Sequence, residues 1–418
     1  MSDIAVPHSS SGKSNSFRSS LEALNFFMAD MQAGIGPFLG IFLLAHQWKS
    51  GPIGTVMTLG GVAGVLVTIP AGALIDRTRH KKLFVIIPGI CTVLASAVIL
   101  LSQEFWVVAL SQVATAIAGA AIVPAVMAIT LGLVCQKGFN RQNGRNQAWN
   151  HAGNMVGAGL SGFLGMKYGM TAIFYLSAVF GLISIFLVST IPASAIDDRA
   201  ARGMKEGDEE AGASNFKALF ECKPLLLLAA ALAAFHLGNG AMLPLYGLGA
   251  ASQSNGGNAS MFVAMTIVIA QLVMIGASVV AMRAADKSGY WLIMLLSFIA
   301  LPVRGIAAVL LNYHTGIYPV QALDGIGAGL QSVAVPALVA HILNGTGRIN
   351  VGQGAVMTVQ GVGAALSPAI GGWLAQGMGF KPAFLVLGSF AVVSILIWIF
   401  YSRTLRAVCD PSQEPKHE

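Results

Sequence analysis

The stretch Gly72-Ala-Leu-Ile-Asp76-Arg77-Thr-Arg-His-Lys81-Lys82 decides how this chain is read. An apolar run beginning near residue 53 ends in it, and a carboxylate and four basic side chains follow in quick succession before the next apolar run starts at residue 83. A basic turn held between two runs of about twenty apolar residues marks a chain that leaves a bilayer on its cytoplasmic side and returns. The pattern recurs at Met282-Arg-Ala-Ala-Asp286-Lys287-Ser-Gly289-Tyr-Trp291. Asp76 and Asp286 are 210 positions apart, Gly119 and Gly329 keep the same offset, and Pro124 and Pro336 are separated by 212.

Working outward, runs long enough to span fall near 21–46, 53–76, 83–102, 105–134, 145–166 and 171–191, then near 224–249, 259–284, 291–311, 317–343, 351–377 and 382–402. They are numbered spans 1 to 12 below. The longest polar interruption, 192–223, contains Asp197-Asp-Arg-Ala-Ala-Arg-Gly-Met-Lys-Glu-Gly-Asp-Glu-Glu210, a solvated charge run suited to a cytoplasmic linker. The expected organisation is a tail over 1–20, a six-helix bundle over 21–191, the linker, a second bundle over 224–402 and a tail over 403–418. The fold class is thus an all-α membrane protein, twelve transmembrane helices in two pseudo-symmetric six-helix bundles around a central site.

Composition excludes most other classes. Of 418 residues 55% are hydrophobic and 10% charged, too few charges to coat a soluble globule. The net charge of +7 does not signal nucleic acid, because the basic residues are one-sided. Only Lys49, Lys167 and Lys381 of the 24 fall on the far side, and Arg304 falls inside a span. This places both termini in the cytoplasm of a cell inner membrane. Cys91, Cys135, Cys222 and Cys409 lack the spacing of a zinc site or disulfide framework, and no cofactor or metal is expected. The Ser-rich start is not a cleaved signal peptide. No HExxH or GxSxG occurs, and Ser11-Gly-Lys-Ser14 has Pro7 where a phosphate-binding loop needs its first glycine. An intramembrane enzyme, or a sensor lacking a sizeable soluble module, therefore ranks far below a transporter.

The 72–82 segment resembles the loop 2–3 signature of the major facilitator superfamily, GxxxDRxGRR/K, with Arg79 standing where the family usually has Gly. Asp286-Lys287-Ser-Gly289 resembles its degenerate second copy. The resemblance covers essentially the whole chain. It implies a cytoplasmic gating motif made of Gly72, Asp76, Arg77, Lys81 and Lys82, with Asp286, Lys287 and Gly289 as the weaker counterpart, latching the cytoplasmic side when the cavity opens outward.

Lipid cannot satisfy polar side chains, so those inside spans must face protein or a hydrated cavity. Spans 3, 6 and 12 carry no Asn, Gln, His or ionisable residue in their cores. In span 5, Gln147, Asn150, His151 and Asn154 recur at i, i+3, i+4 and i+7, one helical face. Gln321, Asp324 and Gln331 in span 10 follow a similar period, as do His236, Asn239 and Tyr246 in span 7. Asn25 and Gln32 in span 1 are seven apart, as are Gln353 and Gln360 in span 11. With Gln112 in span 4, these stripes are read as the walls of a solute path, against the plainer alternative of interhelical hydrogen bonds that specify packing. Asp30, Arg304 and Asp324 lie deep in apolar runs, where a charge costs on the order of 2.5–3.5 kcal/mol. Arg304 and Asp324 are placed to pair across spans 9 and 10. The three are the candidates for proton coupling, a structural ion pair being the alternative for the last two.

The sequence therefore predicts a monomeric secondary transporter whose partners are a small-molecule solute, protons and the lipid bilayer. Drug antiporters of the resembled family commonly carry an Arg in span 4 and a Gly-Pro pair in span 5, and this chain has neither. Export of a metabolite, siderophore or drug-like molecule is the first expectation and proton-coupled import of a small polar metabolite the alternative.

Overall fold

The structure is a computed structural model that describes residues 11–33, 35–201, 222–253, 259–344 and 349–409. The side chains of Asp30, Gln32, Asp76, Asp286 and Lys287 lie outside the described residues. Every regular element among the described residues is helical. Span 1 is described over Ser11–Ala33 and Ile35–Ala45, and span 7 is two helices, Lys223–Asn239 and Met242–Gln253. Spans 2, 3 and 6 are Ser50–Arg77, Leu83–Leu101 and Thr171–Thr190. Spans 8 to 12 are Ala259–Ser288, Tyr290–Leu310, Tyr313–Ile342, Ile349–Met378 and Phe380–Phe400.

Spans 4 and 5 run together as Phe105–Tyr168, bent at Cys135, whose φ of 53° and ψ of 178° leave the helix. The polar segment expected to be a loop near 136–144 is helical, since Gln, Asn and Arg are tolerated on a solvated helix where Pro is absent. Ten helices among the described residues are long and apolar enough to cross a membrane. Spans 1 and 5 are not among the ten; the second piece of span 1, Gly36–Ala45, is apolar but short.

The helices pack with internal symmetry. Span 2 packs on span 4, span 1 on spans 5 and 6, and span 3 on spans 4 and 6; in the second half span 8 packs on span 10, span 7 on spans 11 and 12, and span 9 on spans 10 and 12. Adding six to each number maps one set onto the other. The two main contacts between the sets, span 2 with span 11 and span 5 with span 8, exchange under the same operation. The turns repeat too. Gly169 and Gly379, 210 residues apart, have φ of 87° and 91°, a backbone only glycine adopts without a steric penalty. The basic turns differ locally. Gly289 turns with φ 67°, whereas the first copy, with Arg79, turns through an extended Thr78 whose Oγ1 accepts from His80 N at 3.2 Å.

Contacts between the halves concentrate at the outer ends, away from the basic loops. Ser50 Oγ donates to Gly372 O at 3.0 Å, Gly51 N to Gln376 Oε1 at 3.1 Å, Trp373 Nε1 to Thr55 Oγ1 at 3.0 Å and Ala369 N to Thr58 Oγ1 at 2.9 Å. Backbones come this close because the contact positions lack side chains, as where Gly54 abuts the Pro368 carbonyl. Towards the basic end span 2 is left uncovered, with Leu66 70% and Leu74 54% exposed.

Candidate functional site

One cavity lies between spans 1 to 4 of the first half and spans 7 and 11 of the second. It measures about 520 Å³ and is lined by Gly36 and Pro37 of span 1, by Gly240 and Pro244 beside the break in span 7, and by Gln112 and Thr115 of span 4. A broken helix exposes backbone groups, and these must be satisfied inside the protein. Ser367 Oγ accepts from Ala241 N at 2.8 Å and does this for span 7.

Next to the break in span 7 lies the densest charged centre in the spans. Arg304, 1% exposed, donates from Nη1 to Asp324 Oδ1 at 2.6 Å and to Asn239 Oδ1 at 2.8 Å, and from Nη2 to Gln321 Oε1 at 3.2 Å. Three side chains from spans 7 and 10 thus converge on the one guanidinium of span 9. Burial of an ion pair is tolerated when further hydrogen bonds support it, and here the two amides add one each while Arg304 Nε finds no partner among the described residues. Asp324 remains 14% exposed, the partner with a path to solvent.

The other stripes separate in space. Asn25 is buried and donates to Leu21 O at 2.8 Å, while Asn150 donates to Asn25 O at 3.4 Å and Asn154 to Asn150 at 3.3 Å. Gln147 is exposed. His151 Nδ1 meets Gln271 Oε1 at 3.1 Å, crossing between the halves. Gln331 donates to Ser297 Oγ at 3.4 Å and His236 lies beside it. Gln360 is half-buried. Tyr246 is 1% exposed in an aromatic group with Phe262, Tyr313 and Phe384, outside the wall of the central cavity.

The described residues of the basic turn are tied within their own half. Lys82 Nζ donates to Ser189 O at 3.0 Å and Ile191 O at 2.6 Å, capping the free carbonyls of span 6 as a cation does at a helix C-terminus. Lys81, 1% exposed, donates to Thr78 O at 2.8 Å and lies 3.6 Å from Asp198 at the start of the linker. Arg77 is exposed, Gly72 is half-buried with nothing within 4 Å of its missing Cβ, and Gly289 is buried.

One network escaped the sequence reading. Glu22, 6% exposed, takes Arg145 Nε at 2.8 Å and Nη2 at 3.1 Å in a bidentate pair, and also accepts from Gln142 at 3.2 Å. Gln142 donates to Asn146 at 3.0 Å, and Asn146 to Thr130 Oγ1 at 3.1 Å, so spans 1, 4 and 5 are locked together at the basic end. The available signal was the spacing of Gln142 and Asn146 one turn apart, in register with Asn150.

The family profile described as Major Facilitator Superfamily matches residues 21–318. The chain is 38% identical over 383 residues, 91% of its length and 91% of theirs, to uncharacterized MFS-type transporters of Mycobacterium tuberculosis strains CDC 1551 / Oshkosh and ATCC 25618 / H37Rv. Its fold is similar to the crystal structure of the nucleoside transporter NupG, with a TM-score of 0.73 at 14% identity over 93% of this chain and 99% of that one. It is also similar to a bacterial homologue of the human lysosomal transporter Spinster in an inward-facing, unoccupied conformation, with a TM-score of 0.74 at 13% identity over 97% and 100%. This chain belongs to the major facilitator superfamily, a multi-pass membrane transporter that carries a small solute across the bilayer by alternating access, and not an enzyme.

Proposed function

We propose that the protein is an importer that brings a small polar solute into the cell together with a proton. The observation that carries this reading is the Arg304–Asp324 pair with its two amide partners, set beside the break in span 7 that borders the central cavity. The shared fold with a nucleoside transporter fits uptake of a polar metabolite, and the absence of Arg from span 4 and of Gly-Pro from span 5 weighs against drug antiport. Export, the first expectation from the sequence, takes second place.

In this reading spans 1 and 5 complete twelve spans, in bundles over 21–191 and 224–402 joined by 192–223, with both termini cytoplasmic in the inner membrane and the protein working as a monomer. The closed outer seam and the uncovered inner end of span 2 correspond to an inward-open state. Asp324 holds Arg304 while it is charged. Protonation of Asp324 removes that anchor and leaves Arg304 with Asn239 and Gln321, whose oxygens are then shared with the solute. Coupling follows because the centre loses or keeps its ion pair according to which side can exchange its proton. Gln112, Asn150, Asn154, His236, Gln331 and Gln360 would contribute polar surface as the halves rock, and Asp30 is a second proton carrier. Asp76, with Asp286 and Lys287, would latch the inner side in the outward-open state.

A counterflow screen of small polar metabolites in proteoliposomes, with and without a pH gradient, tests the proposal. The expected result is exchange of one chemical class, with net uptake raised by acid outside. Gradient-driven loss of the solute from the inside-equivalent compartment would establish the export reading instead.

A further inference from the structure

On the outer side of the Arg304–Asp324 centre, four buried polar groups find no hydrogen-bond partner among the described residues: the hydroxyls of Tyr313 and Tyr246, Arg304 Nε and Gln321 Nε2. They follow one another through the second half. Tyr313 lines a second cavity, of about 510 Å³, at the outer ends of spans 5, 7, 8 and 10, with His314 on its rim. Its ring meets that of Tyr246 edge-on with centroids 5.0 Å apart. The Tyr246 hydroxyl lies against Gly316 of span 10, five residues before Gln321, which with Asp324 binds Arg304. The sequence spacing agrees, since Tyr313, Ile317, Gln321 and Asp324 stand at i, i+4, i+8 and i+11 on one face of span 10.

An unpaired buried hydroxyl opposes folding, and phenylalanine would fill the same space without that cost. Two tyrosines and two amide or guanidine N–H groups in a row are better explained by water, which enters sites that are polar and offer two or more partners. We propose that water from the outer cavity threads past Tyr313 and Tyr246 to Arg304 and Gln321, and that this is the route by which a proton from outside reaches Asp324. This rests on the symport reading above.

The step balances with protons alone. A hydronium ion in the outer cavity gives up one proton, each bridging oxygen forms one O–H bond and breaks another, and the last bond forms on the Asp324 carboxylate. Arg304 keeps its charge throughout. The other polar groups along the route are Asn239 of span 7 at Arg304 and, at the outer cavity, Gln253, Asn312 and His314; spans 8 and 12 contribute Phe262 and Phe384, which do not titrate.

The test uses the full chain in oriented vesicles and the proton itself as probe. Infrared difference spectra after an outer acid jump report the protonated carboxyl of Asp324, identified by its disappearance in Asp324→Asn. The band is expected to rise about tenfold or more slowly in Tyr246→Phe and in Tyr313→Phe, whose rings and folding are kept because the hydroxyls make no hydrogen bond among the described residues. Radiolytic hydroxyl labelling of the wild type is expected to modify Tyr246, although it is 1% exposed, at doses that modify Tyr168, which is 64% exposed. Unchanged rates in both Phe variants, or an unmodified Tyr246, would overturn the route. Absence of any Asp324-dependent band at any pH would instead sink the symport reading on which it rests.

Discussion

Arg304 Nη1 stands 2.6 Å from Asp324 Oδ1, joining span 9 to span 10 in the interior of the second half. Asn239 and Gln321 accept from the same guanidinium. Removing one partner of such a pair leaves a buried charge, at a cost of about 3–5 kcal/mol. Asp324→Asn should therefore lower the unfolding temperature in detergent more than the double variant Arg304→Met/Asp324→Leu, which removes both charges. Equal losses in the two would show that the pair is not coupled.

The outer seam gives a second prediction. Trp373→Phe with Thr55→Val removes one hydrogen bond between the halves and leaves no stranded donor. A bond of this kind contributes about 0.5–1.5 kcal/mol, so the balance should shift towards the outward-open state by up to about tenfold. Spin-label distances between the inner ends of spans 2 and 8 should shorten in population accordingly. Gly54→Leu should act more strongly, because its side chain would collide with the Pro368 carbonyl.

Glu22 anchors the inner end of the first half. Glu22→Gln keeps the shape and removes the charge that holds Arg145, which is 54% exposed and so keeps much of its hydration. A loss of about 1–3 kcal/mol is expected from the broken network. It should appear as faster hydrogen exchange at the start of spans 1 and 5, with little change in the second half.

The short helix Ser402–Cys409 buries Leu405 and Cys409 against the second half, and Arg406 stacks on Trp291 at 4.1 Å. Burial pushes the Cys409 thiol up to about 12. The thiolate is the reactive form, so at neutral pH maleimide should leave Cys409 unmodified in the folded protein and modify it after denaturation. Modification of the native protein at pH 7 would mean that this helix is not docked.

Much of the architecture was legible because each signal has a simple cause. Apolar length marks spans, basic turns mark one side of the membrane, and the 210-residue offset of Asp76 and Asp286 reappears in the positive φ of Gly169 and Gly379. The pairing of Arg304 with Asp324 was legible because two lone charges in apolar surroundings have few other ways to be stabilised. What periodicity could not reveal is which face of a span meets a cavity and which meets a neighbour. Asn150 and Asn154 share a stripe of span 5 and Asn25 belongs to the stripe of span 1, yet these residues bond to backbone and to one another. Tyr246 shares the period of His236 and Asn239, yet its ring sits among aromatics and off the wall of the central cavity. The Glu22–Arg145 pair links residues 123 positions apart, a distance at which sequence spacing carries no information.

The central claim, inward movement of solute and proton together through the Arg304–Asp324 centre, is tested most directly by proton flux. Lightly buffered vesicles of native orientation are given, on the outside, a solute active in counterflow, and the external pH is followed. The account predicts solute-dependent alkalinisation outside, absent in Asp324→Asn. Acidification, or an unchanged pH while the solute enters, would contradict it.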